Sequence, residues 1–182
     1  MIFEKLRIPD LIRIVPDVFR DERGYFKEIW HAARFAKAGL DLEFKQDNLS
    51  RSRQGTIRGL HYQIRQPQGK LVWVCAGEVV DVAVDLRRSS PTFREWVSVR
   101  LSAESHEMLW VPPGFAHGFT VLSPVAELNY KCTDFYAPEH ERTILWNDPD
   151  LAIDWQLPSG AQPLISPKDA RGVPLRDAEL FP

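Results

Sequence analysis

The segment "EVVDVAVDL", residues 78–86, carries Val80, Val82, Val84 and Leu86 at every second position. A period of two belongs to a strand with one apolar face and is incompatible with a helix. "WVSVRLS" (96–102) repeats the pattern, with Val97, Val99 and Leu101 on one side and Trp96, Ser98, Arg100 and Ser102 on the other. Outward from these two strands the alternation dominates from about residue 56 to 136, which places further strands at 107–112, 117–122 and 126–136. Gly77, "RRSSP", "PPG" and Ser123-Pro124 punctuate them. Many short strands at close spacing predict an antiparallel sandwich or barrel of the jelly-roll kind. Helix signal is confined to "HAARFAKAGL" (31–40), which Gly39 stops, and the proline- and aspartate-rich tail from Trp146 reads as ordered loop followed by a short helix near 167–171. The fold class is therefore mainly β, an antiparallel jelly-roll barrel with a few short peripheral helices.

A chain of 182 residues suits one core, so residues 1–182 are expected to form a single domain, its core spanning about 45–140 with N-terminal strands and C-terminal tail packed around it. Acidic residues number 25 against 23 basic ones with no basic block, which argues against a nucleic-acid partner. Glu4 and Lys5 interrupt what would have to be a signal core, and no later apolar run has the length of a membrane span. A cytoplasmic protein with no membrane partner is expected. Cys75 and Cys132 both lie in apolar β-like runs and are expected to be buried free thiols, without zinc-type spacing.

Against this apolar background, "GLHYQIRQPQGKLVWV" (59–74) contains His61 and Lys70. An unpartnered buried polar group costs about 1–3 kcal/mol, more when charged, so each demands either a partner or a task. On a regular strand Arg58 and His61 point to opposite faces; a bulge at Gly59 would turn both inward. "AELNYKCTDFY" sets Leu128, Tyr130 and Cys132 on one apolar face, which leaves Tyr130 as a core aromatic or as an acid at a barrel mouth. "VPPGFAHGF" has the P-x-G-x-x-H spacing of metal-binding cupin barrels, ending in His117, yet the matching H-x-H position reads His61-Tyr62-Gln63 and lacks the second histidine. Two histidines without a third donor make a poor metal site, and His117 is read as a donor in a pocket or a satisfied core histidine. In "FRDERGYFKE" Arg23-Gly24 fits a hairpin turn, while Gln46, Asn48 and Arg58 suit contacts to a base or a diphosphate.

Taken in order, "PDVFRDERGYFKE", "QDNLSRSRQGTIRGLHYQ", "PQGKLVWVCAGEVVDVAVDLRRSSPTF", "VPPGFAHGF", "LNYKCTDFY", "ILWNDPDLAIDW" and "SPKDA" cover nearly the whole chain. This series resembles the dTDP-4-dehydrorhamnose 3,5-epimerase family, sugar-nucleotide epimerases with a cupin-type jelly roll. The resemblance implies a metal-free inversion, without any cofactor, of C3 and C5 in dTDP-4-dehydro-6-deoxy-D-glucose, giving dTDP-4-dehydro-L-rhamnose. It implies His61 as base, Asp169 as its orienting partner, Tyr130 as acid on the opposite face of the ring, and Lys70 beside the developing enolate. Phe19, Arg23, Glu28, Gln46, Asn48, Arg58, His117, Phe135, Glu141 and Lys168 fall where such enzymes bind nucleotide, diphosphate or sugar, and a homodimer with N-terminal strand exchange is implied. Trp73 and Phe135 depart from the family pattern, and the latter lacks a hydroxyl beside the nucleotide.

The chemistry agrees with these roles. A proton alpha to a ketone becomes removable when the enolate charge is stabilised, which a cationic Lys70 in a water-poor pocket provides. Histidine titrates near neutral pH, and a carboxylate behind it holds its tautomer. No GxGxxG turn in a strand-to-helix context suggests a redox cofactor. Competing expectations are an epimerase or ketoisomerase acting at a single centre, a non-catalytic sugar-nucleotide-binding cupin, and a metal-dependent dioxygenase.

Overall fold

A computed structural model describes residues 1–157 and 160–182. In chain order the strands are β1 (Ile2–Lys5), β2 (Ile12–Val15), β3 (Val18–Asp21), β4 (Gly24–Lys27), β5 (Gln46–Arg53), β6 (Thr56–Gln63) and β7 (Lys70–Ala76). They continue as β8 (Glu78–Asp85), β9 (Trp96–Ser102), β10 (Met108–Val111), β11 (Phe115–Val121), β12 (Val125–Cys132), β13 (Glu141–Thr143) and β14 (Leu164–Ile165). One six-stranded sheet runs β1-β2-β10-β7-β12-β5; the facing sheet runs β13-β6-β11-β8-β9, with β14 added in parallel to β6. The remaining pair, β3 and β4, forms a separate hairpin. This is the jelly roll expected from the period-two pattern.

Three apolar layers hold it together. Between the sheets, Val72, Val74, Leu109 and Leu128 meet Val79, Ala83, Leu101, Phe115 and Phe119. Outside the second sheet, Val80, Val82, Val84 and Leu86 are covered by Leu151, Trp155 and Leu175 of the C-terminal tail. On the outer face of the first sheet, Ile12 and Ile14 of β2 lie beside Leu71, Trp73, Met108 and Trp110, and Phe35 and Leu40 pack against them. Strand β8 is thus buried on both faces, so the alternation seen in the sequence separates two cores and not core from solvent. Its inward polar residue, Asp81, is fully buried.

The tail is tied down by its polar groups. Asp148, 2% exposed, accepts hydrogen bonds from the backbone N–H groups of Asp150, Leu151 and Leu175. Trp155 Nε1 donates to the Trp146 carbonyl and Trp96 Nε1 to that of Leu151. The expected terminal helix is a single 3-10 turn at Asp169–Arg171, and positions 158 and 159 of the expected loop lie outside the described residues. The one α-helix among the described residues, Ala32–Lys37, ends where Gly39 adopts a φ of +87°.

The cysteines divide. Cys132 is buried, as expected, but Cys75 is exposed. It lies on the outer face of β7 beyond the N-terminal cover, which reaches Leu71 and Trp73, and its sulfur meets Asn129 Nδ2.

Candidate active site

Strands β6 and β11 pair with His117 opposite His61 and Phe119 opposite Arg58, two residues on one strand spanning three on the other. The extra residue is accommodated at Gly59, whose φ is +125°. A Cβ there would stand 2.6 Å from Gly118 Cα and 2.7 Å from the His117 carbonyl oxygen, a clash that no rotamer relieves. The bulge turns Arg58 and His61 to the same side, and both line a cavity of about 320 Å³ between the two sheets.

The walls come from both sheets. His61, Arg58, His117, Gly118 and Phe119 form one side; Gln46, Asn48, Ser50, Lys70, Leu128 and Tyr130 form the other. Tyr136, Glu141 and Lys168 close the rim, together with Gln68. Of the residues expected from sequence, the fold therefore assembles His61, Lys70, Tyr130, Gln46, Asn48, Arg58, His117, Glu141 and Lys168 around one space. Asp169, 3% exposed, stands behind His61 and accepts from its Nε2 at 2.6 Å. Phe19, Arg23, Glu28 and Phe135 are not brought to this cavity within one chain. Phe19 and Arg23 stand on the β3–β4 hairpin, Glu28 pairs with Arg34 at 3.2 Å, and the Phe135 ring lies 59% exposed beneath Lys45. Trp73, on the outer face of β7, is also remote from it.

Electrostatics follow burial. Burial pulls the Lys70 ammonium below its ordinary value, with the fields of Cys132, Asp81 and Glu141 opposing that shift. Burial raises the Tyr130 phenol, which keeps it a neutral donor. At Asp169 burial pushes the carboxyl up, but the hydrogen bond and field of His61 prevail and leave it below the usual range. Glu141 behaves likewise: burial opposes its ionisation, and the Lys168 ammonium (2.5 Å) and Tyr136 hydroxyl (2.8 Å) overcome it.

Sequence reading missed Asp81, Tyr136, Gln68 and Ser50. Asp81 was visible as an acidic residue in an otherwise apolar strand, since an unpaired carboxylate there would cost several kcal/mol. Tyr136 depends on distant contacts: Gln63, 4% exposed, accepts from the Ala137 N–H and donates to the Phe135 carbonyl, which aims the intervening residue inward. Its hydroxyl stands at the rim, one position after Phe135. Among the described residues no three His, Cys, Asp or Glu side chains converge as metal ligands would.

A cavity between two antiparallel sheets, with a histidine–carboxylate pair on one wall and a tyrosine and a half-buried lysine on the other, is a candidate isomerase site on a cupin-like scaffold. The family model described as dTDP-4-dehydrorhamnose 3,5-epimerase matches residues 5–177, and the chain belongs to that family of isomerases. A dTDP-4-dehydrorhamnose 3,5-epimerase of Pseudomonas aeruginosa is 58% identical over 98% of each chain. Among solved structures, a dTDP-6-deoxy-D-glucose-3,5-epimerase from Legionella pneumophila in complex with dTDP-4-keto-L-rhamnose is 51% identical with a TM-score of 0.94, covering 97% of this chain and 94% of that one. A 3'-monoepimerase from Streptomyces bikiniensis in complex with dTDP-quinovose is 34% identical with a TM-score of 0.87, over 94% and 86% of the chains. No helix in the described residues is long and apolar enough to cross a membrane.

Proposed function

We propose that the chain epimerises dTDP-4-dehydro-6-deoxy-D-glucose at C3 and C5 to dTDP-4-dehydro-L-rhamnose. The observation that carries this reading is the placement of His61, backed by Asp169, across the cavity from Tyr130, with Lys70 half-buried on the facing sheet. With His61 Nε2 donating to Asp169, the ring's other nitrogen is the basic atom available to substrate. It removes the proton alpha to the C4 ketone, the C–H electrons form the enolate, and the negative charge moves to O4. The Lys70 ammonium stabilises that oxygen, an interaction of the kind worth roughly 3–4 kcal/mol in a preorganised site. Tyr130 protonates the carbon from the opposite face, and its phenolate recovers a proton from water while His61 releases its own. The same cycle at the second carbon completes the reaction with no net change of oxidation state.

Arg58, held by Ser52 Oγ at 2.9 Å, offers bidentate contact to a diphosphate, and Gln46 and Asn48 offer amides beside it. His117, Glu141 and Lys168 complete the sugar and phosphate contacts. Phe19, Arg23 and Glu28 serve the site of a second copy: the hairpin that carries the first two projects Phe19 at 65% and Phe26 at 69% exposure, the profile of a segment that docks elsewhere. Phe135 stands at the nucleotide end. A homodimer in the cytoplasm is the form in which this site would be whole.

Incubation with dTDP-4-keto-6-deoxyglucose in deuterated water, read by NMR and mass spectrometry, tests the reading. Label at both C3 and C5 with the L-rhamno product is expected; label at one carbon would favour the single-centre reaction to which the 3'-monoepimerase likeness points, and no label would leave a sugar-nucleotide-binding protein. His61→Asn should abolish exchange, whereas Tyr130→Phe should impair net inversion more than exchange.

A further inference from the structure

The proposed proton-transfer steps leave unused a buried acid that pairs with a histidine of the cavity. Asp81 of β8 is 0% exposed, and both its oxygens lie 2.9 Å from Nε2 of His117. His117 is directly opposite His61 in the β6–β11 register, so two histidine–carboxylate pairs stand side by side on one wall of the cavity. With Nε2 committed to Asp81, Nδ1 is the polar atom that the His117 ring can turn to the cavity it lines. Among the described residues, Asp81 has no ammonium or guanidinium on it, unlike Glu141, which Lys168 already neutralises.

A buried carboxylate with only an imidazole beside it is a costly arrangement unless another charge compensates. Across the cavity the Lys70 ammonium has no ion-pair partner among the described residues; the fields of Cys132 from β12, Asp81 from β8 and Glu141 from the rim favour its charge, that of Lys168 opposes it, and Tyr130, His61 and His117 line the same cavity. Cys132 is held in its neutral thiol form by burial, and Glu141 and Lys168 largely cancel. Asp81 is then the carboxylate with no cation of its own whose field reaches Lys70.

We propose that Asp81 is a positioning residue that acts on the reaction through two neighbours, holding the His117 ring with Nδ1 toward the substrate and supplying the buried counter-charge of the Lys70 ammonium. The inference rests on the epimerase reading, and its test is built to separate the two. Lysine carrying 13C at Cε is incorporated into the full chain, the Lys70 resonance is identified by its absence in Lys70→Gln, and its titration is followed in wild type and Asp81→Asn. A midpoint lower by about one unit or more in Asp81→Asn is expected; an unchanged midpoint overturns the proposal whether or not the protein turns over substrate. In the deuterium-exchange assay Asp81→Asn should lose about tenfold or more in kcat, with its alkaline limb moved to lower pH and dTDP affinity within about twofold of wild type. Wild-type kcat and an unmoved limb would also overturn it. Should Asp81→Asn unfold at assay temperature, His117→Gln keeps the Asp81 charge: it should lower kcat while leaving the Lys70 midpoint in place, and a shifted midpoint or a wild-type kcat would count against the proposal. Failure of the wild type to exchange protons would remove the epimerase reading, while the Lys70 titration still decides the role of Asp81.

Discussion

A half-buried lysine between two apolar sheets is costly, and Lys70 shows the cost against its proposed role. Burial favours its neutral form, so the folded protein binds its proton less tightly than the unfolded chain does. Between the lowered folded value and the ordinary 10.5, the unfolded chain binds more protons, and stability rises with pH across that window. Under the proposed mechanism activity moves in the opposite sense, because the enolate needs the ammonium. The alkaline limb of kcat should therefore fall below 10.5 while the thermal midpoint does not decline over the same range, a divergence that parallel activity and melting profiles would reveal. Lys70→Met should keep or raise the melting midpoint and cut kcat by about 10²–10³-fold, as removal of a preorganised donor does. Asp169 acts with the other sign. Its folded value lies below the ordinary 3.8, so its contribution is present above 3.8 and is lost as pH falls through the folded value. Asp169→Asn should flatten that acid-side loss in a melting series and, by freeing the His61 ring, lower kcat by about 10²-fold or more.

At the scale of elements the site depends on one irregularity. Strands β6 and β11 would present Arg58 and His61 to opposite faces if they paired regularly; the extra residue at Gly59 re-aims them. Gly118 across the pair permits the close approach, since a Cβ there would meet the Arg58 carbonyl oxygen at 2.7 Å. Gly59→Ala should destabilise the fold by more than about 2 kcal/mol through a disfavoured φ and a backbone clash, and the surviving folded fraction should lack proton exchange. Chemical denaturation together with the deuterium assay measures both. The loop after β12 is a second such device, because Gln63 grips the backbone on either side of Tyr136 and sets its hydroxyl on Glu141.

In the whole molecule, the barrel is stable because both sheets are covered on their outer faces. The tail supplies Trp155, Leu151 and Leu175 to one of them, and Asp148 fastens it with three backbone hydrogen bonds. Asp148→Ala leaves buried N–H groups without acceptors at about 1–3 kcal/mol each, so a loss of several kcal/mol is expected, read as a lower denaturation midpoint. Asp169 belongs to the same tail, and proton exchange should fall in step with the folded fraction in that variant, since the His61–Asp169 pair joins residues 108 apart in the chain.

The strand-rich pattern, the jelly-roll class and most of the residues that line the cavity were legible along the chain, because period-two burial is a local property and because His61, Lys70 and Tyr130 are polar where apolar residues are expected. Membership of the epimerase family was legible in the order of its motifs. What needed three dimensions was everything set by contacts between distant segments: that β8 is buried on both faces, that Cys75 escapes the cover that protects Trp73, that Tyr136 rather than Phe135 reaches the cavity, and that Asp81 finds His117. Side-chain alternation tells which residues share a face; only packing tells what lies against that face, because the energy of a buried charge depends on partners that sequence separation does not reveal.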